Sequence, residues 1–124
     1  MQNAKFWAMA ITVAFIPSTV RAQDAGVIAL AEAAQTARTK CLDDVVSKAK
    51  FKKVNPDTFK LILDGACQTE IVKARDTYSA VLDSAVPPGL SFDPEPNKMR
   101  GIRAYDANFE KYKATLVSKY ALEN

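Results

Sequence analysis

The segment CLDDVVSKAKFKKVNPDTFKLILDGAC, residues 41–67, decides the fold: it opens and closes on the chain's two cysteines and holds a lysine run and an Asn-Pro step between them. Apolar residues lead into it on helical spacing. Val27, Leu30, Ala31, Ala34, Ala37, Cys41, Leu42, Val45 and Val46 recur every three or four positions, the signature of one helix face. Beyond the lysines, Phe59, Ile62, Leu63, Ala66, Cys67, Ile71, Ala74, Tyr78, Val81 and Leu82 do the same, after Asn55 as an N-cap and Pro56 at the first helical position. The spacing predicts helices over about 25–50 and 56–84, folded back on each other about a turn near Val54.

In such an antiparallel pair the numbers of facing residues add to about 108, and Cys41 and Cys67 meet that condition. They are therefore expected to form a disulfide. The same register sets Val45 against Leu63, Val46 against Ile62, Ala34 against Ala74, Leu30 against Tyr78 and Val27 against Val81, with Arg38 and Glu70 as an ion pair beside the seam. A cystine needs Cα atoms within about 7 Å, closer than the 8–10 Å at which helix axes ordinarily pack, and the small side chains of Ala34, Ala37, Ala66 and Ala74 permit it. Both cysteines fall in mid-helix in this reading. A catalytic dithiol is normally Cys-x-x-Cys at a helix N-terminus, so the pair reads as structural.

Between residues 85 and 97 lie Pro87, Pro88, Pro94, Pro96 and Gly89, which stop the second helix. Leu90 and Phe92 in this loop are expected to fold over the open end of the core. A third helix is expected over about 98–121, capped by Asn97, from the stripe Met99, Ile102, Tyr105, Phe109, Tyr112, Leu116 and Tyr120. Tyrosines on such a stripe are more often core than a ligand-stacking face. The predicted fold is all-α: a small three-helix antiparallel bundle stapled by one disulfide, with a helical homodimer as a way to cover leftover apolar surface.

Residues 1–22 read as a cleaved signal peptide. Lys5 precedes an apolar run over residues 6–16 broken only by Thr12; Pro17 ends it, and Val20 and Ala22 stand where signal peptidase accepts small residues. Eleven residues are too few for a membrane span, which needs about 20. Cleavage leaves a single domain, 23–124, of 102 residues, and losing Lys5 and Arg21 takes the net charge from +3 to +1. An exported chain this small with two cysteines fits an oxidising compartment, the bacterial periplasm or the exterior. In size, leader and cysteine count the chain resembles small exported bacterial helical proteins with one disulfide, a group that includes periplasmic acid-stress chaperones. An acid sensor built on this chain would have to use carboxylates, since it has no His.

Composition argues against several activities. Seventeen Lys and Arg against fourteen Asp and Glu are too balanced for nucleic acid. The absence of His removes the commonest general base and metal ligand. Asp43 and Asp44 are adjacent and diverge on a helix, no Ser has a His partner, and the four glycines are scattered. Asp93, Glu95 and Asn97 alternate like the start of a calcium loop, but Lys98 and Ala104 stand where Gly and Glu are required. No enzyme, cofactor or metal site is expected.

Two functions remain. The first is a non-catalytic envelope protein that binds another protein, as chaperone, inhibitor, immunity or accessory factor. The second is a module for anionic membrane surfaces that uses Lys48, Lys50, Phe51, Lys52 and Lys53, each lysine contributing about 1 kcal/mol near such a surface and Phe51 inserting. Cations at a helix C-terminus also complement the helix dipole without any ligand.

Overall fold

The computed structural model describes residues 18–85, 93 and 95–124, with side chains from residue 25 onward. The chain is all-helical, with no strand among the described residues: α1 (Ser18–Lys52), α2 (Pro56–Gly65), α3 (Gln68–Ser84) and α4 (Glu95–Glu123). One disulfide joins Cys41 to Cys67, with Cα atoms 6.0 Å apart. Expectations placed on residues 1–17 and on Pro87, Pro88, Gly89, Leu90, Phe92 and Pro94 lie outside the described residues; residues 18–22, the end of the expected leader, belong to α1, which starts before the expected residue 25.

The helix expected over 56–84 is two helices. After Gly65, Ala66 is extended (ψ 156°) and Cys67 takes the left-handed conformation (φ 60°), so Cys67 is the N-cap of α3 and not a mid-helix residue. The interruption satisfies itself locally. Ala66 N–H donates to the Leu63 carbonyl, the Gln68 side chain donates to the Asp64 carbonyl at 3.2 Å, and Ile71 N–H donates to the Cys67 carbonyl at 2.8 Å. Two non-helical residues leave the apolar spacing from Leu63 to Ile71 nearly in phase, so periodicity alone cannot see the break; Gly65, about 1 kcal/mol worse than Ala in a helix, is its only local sign.

The last helix also starts earlier than expected. Asp93 Oδ1 accepts from Glu95 N–H at 3.1 Å, and Pro96 and Asn97 lie inside the first turn. Proline is tolerated there because its missing N–H would have no partner, and Glu95 suits the positive end of the helix dipole.

The side chains that meet across helices fix the register. Cys41 and Cys67 join α1 to the start of α3. Arg75 pairs with Asp106 through two bonds of 2.9 and 3.0 Å, and Lys98 with Asp83 at 2.8 Å; both pairs add to 181, so α4 is antiparallel to α3. Helix α4 runs parallel to α1, and α1 is therefore antiparallel to α3. Arg38 meets Tyr105, Ala49 meets Tyr120 and Lys50 meets Glu123, at separations of 67, 71 and 73 residues.

Spacing between helices follows side-chain size. Ala34 and Ala74, expected to face each other, are both buried, and α1 approaches α3 most closely of all the helices. Gly101 does the same for α4 beside α3: a Cβ there would lie 2.9 Å from a Leu82 methyl. Elsewhere aromatic rings hold α4 away. The main core cluster is Leu42, Ala49, Phe59, Leu63 and Tyr120, ringed by Val45, Val46, Val54, Cys67, Phe109, Tyr112, Leu116 and Val117.

Several residues placed on the seam by periodicity are exposed: Leu30 and Ala37 on α1, Ile62 on α2 and Met99 on α4. The covered line of α1 runs through Ala31, Ala34, Arg38, Leu42, Val45 and Ala49, a face turned away from Leu30. On α2 the covered pair is Phe59 and Leu63, and on α4 burial begins at Ile102.

Candidate functional site

The lysine turn is built by the end of α1. Lys53 is left-handed (φ 55°), its N–H donates to the Lys50 carbonyl at 3.1 Å, and Val54 N–H donates to the Ala49 carbonyl at 3.2 Å, the paired bonds of a Schellman stop. Val54 turns inward to the core cluster. Asn55 then caps α2 as expected, its Oδ1 accepting from Thr58 N–H at 2.8 Å, with Pro56 following. From the far end of the chain the buried Tyr120 hydroxyl reaches the carbonyls of Ala49 and Val54, and its ring stacks on Phe59 with centroids 4.1 Å apart.

Of the five residues singled out at this turn, all are exposed. Lys50 is engaged by Glu123 at 2.7 Å, and the hydrogen bond from Lys50, with the Lys50 and Lys119 charges behind it, holds the Glu123 carboxyl below its ordinary range. Lys48, Lys52 and Lys53 form no ion pair among the described residues. Phe51 stands 87% exposed. Sequence reasoning missed the neighbour that α4 brings to this end, Leu122, which is 88% exposed. Its sign was an apolar residue two positions beyond Tyr120, off the stripe that buries.

Arg38 has a different partner from the one expected. Glu70 does not receive it; Arg38 Nη1 donates to the Tyr105 hydroxyl at 2.7 Å, and the guanidinium lies 4.4 Å from the Phe109 ring centroid and 5.6 Å from that of Tyr105. Such a position is favourable for a partly desolvated guanidinium. Tyr78 stacks on Tyr105 with centroids 4.5 Å apart, while Arg38 Nε is buried without a hydrogen-bond partner among the described residues. Burial pushes the Tyr105 phenol up, against the pull of Arg38. Tyr112 is raised by burial and then by the Asp43 charge. The cluster joins α1, α3 and α4, and among the described residues Arg38 forms no ion pair.

Two small, partly enclosed depressions lie against α4, one over Val46, Lys50, Leu116 and Glu123 and one over Lys60, Asp64, Glu110 and Lys113, and two others, more open, lie elsewhere. One lies along α3 over Thr69, Val72, Lys73 and Asp76, another along α1 over Glu32, Thr36, Lys40 and Asp43. Among the described residues no three of His, Cys, Asp and Glu stand close enough to hold a metal ion, and no helix is long and apolar enough to cross a membrane. The chain matches no protein-family model, and comparison with curated proteins and with solved structures finds no match.

Proposed function

We propose that the chain is an exported bacterial envelope protein, periplasmic or secreted after cleavage near Ala22, that binds another protein and catalyses nothing. In this reading residues 1–22 are a signal peptide and 23–124 the working domain, a three-helix antiparallel bundle whose middle arm is bent into α2 and α3. One observation carries it. Leu30 is 63% exposed, Ile28 43% and Met99 46%, and the parallel offset of about 70 residues between α1 and α4 puts Met99 level with the other two. Ile28 and Leu30, two residues apart, lie on different sides of α1, so apolar surface wraps this level of the domain, and we read it as the interaction surface. The cystine supports export, since such bonds persist in oxidising compartments.

A photo-crosslinking residue at position 30 in intact cells tests the reading. One discrete heterologous adduct, lost when Ile28 and Met99 are both changed to Glu, is the expected result. A ladder of self-adducts would mean that a second copy covers this end, and no adduct at all would overturn the proposal.

A further inference from the structure

At the opposite end of the molecule from the Leu30 level, and independently of it, we infer that the closed end around the lysine turn docks on an anionic phospholipid surface, with Phe51 and Leu122 entering the interface and Lys48, Lys52 and Lys53 meeting lipid phosphates.

Phe51 and Leu122 are the two most exposed large apolar side chains described, at 87% and 88%. They come from separate helices. The Lys50–Glu123 pair at 2.7 Å and the Tyr120 hydroxyl on the Ala49 and Val54 carbonyls bring the ends of α1 and α4 together, so the two apolar tips share one end of the molecule. Around this end lysines outnumber carboxylates: Lys48, Lys50, Lys52, Lys53 and Lys119 stand with Glu123 and Asp57. Glu123 is occupied by Lys50, which leaves Lys48, Lys52 and Lys53 without an ion pair among the described residues. Two exposed apolar side chains flanking a lysine-rich end match a bilayer's anionic headgroups over its hydrocarbon; an apolar protein groove would leave the lysines unmatched. The Schellman stop and the Tyr120 anchor hold the turn in place, so little order has to be gained on docking.

Co-sedimentation of the protein, as isolated from the cell, with vesicles of phosphatidylcholine containing phosphatidylglycerol, and with phosphatidylcholine alone, is the test. The inference expects binding to the anionic vesicles only, weakened by salt. The triple variant Lys48→Gln, Lys52→Gln, Lys53→Gln should lose about a hundredfold in affinity, at about fivefold per lysine. Phe51→Ser and Leu122→Ser should each weaken binding further, and Phe51→Trp should shift its emission to the blue on anionic vesicles. Circular dichroism of each variant should match the parent, because every altered side chain is exposed. No binding at low salt, equal binding to both vesicles, or binding indifferent to the triple variant would overturn the inference. So would preferential capture by polyglutamate, which would assign the lysines to an acidic polypeptide.

Discussion

The Tyr120 hydroxyl, near the end of α4, donates to the carbonyl of Val54, 66 residues earlier, and so ties the last helix to the turn between the first two. The ring is buried, stacked on Phe59, and the same hydroxyl lies 3.1 Å from the Ala49 carbonyl. Removing only the oxygen would leave the Val54 carbonyl short of a partner. Tyr120→Phe is expected to cost about 1–2 kcal/mol, and Tyr120→Ala, which also opens a cavity, about 3–5 kcal/mol, by urea unfolding. A neutral Tyr120→Phe would show that the hydroxyl does not hold the turn.

Lys53 occupies a position that favours glycine. A left-handed L-residue costs about 1–2 kcal/mol, and the extra freedom glycine loses on folding offsets part of the relief. Lys53→Gly should therefore raise stability by about 0.5–1 kcal/mol while weakening attachment to anionic vesicles. A stability decrease on chemical unfolding would contradict the Schellman stop.

Opening the cystine should be expensive. Releasing a loop with a sequence separation of 26 returns roughly 3.5 kcal/mol of chain entropy to the unfolded state, and a domain of this size would melt about 15 °C lower or more. The double variant Cys41→Ser, Cys67→Ser and the reduced protein should behave alike in thermal unfolding. An unchanged midpoint would mean that helix packing alone holds the arm.

The aromatic cluster predicts a loss of stability in alkali. Because the Tyr105 phenol is pushed above its ordinary value of 10.0, mainly by burial, the folded state keeps its proton longer than the unfolded one; the stability is present below that value and is lost as pH rises through the raised one. Arg38 pulls the phenol down, so Arg38→Met should raise it further. Tyrosinate absorbance titrations, with Tyr105→Phe to assign the step, will show it. A fall in Arg38→Met would contradict the geometry.

How far the sequence reaches is clear from particular residues. Cys41 with Cys67, Ala34 with Ala74, and the Asn55 cap follow from spacing, because each depends on a local rule: helical period, antiparallel register or an orphan N–H. The break at Cys67 is hidden because two non-helical residues preserve the phase of the stripe. The partner of Arg38 does not follow from register, which names the residue opposite on one neighbour, whereas the guanidinium is held by rings on α4, whose offset from α1 depends on a third helix. Met99 is exposed for the same reason: which part of a stripe is covered depends on where neighbouring helices begin and end; Leu122 lies off the stripe, two positions past Tyr120.

Everything proposed about partners rests on export and on pairing of the cysteines. The intact mass of the protein from fractionated cells, with and without reduction and thiol alkylation, tests both at once. A 102-residue species in the envelope fraction that takes up alkylating agent only after reduction is the expected result. A full-length cytoplasmic species with two freely alkylated cysteines would contradict it.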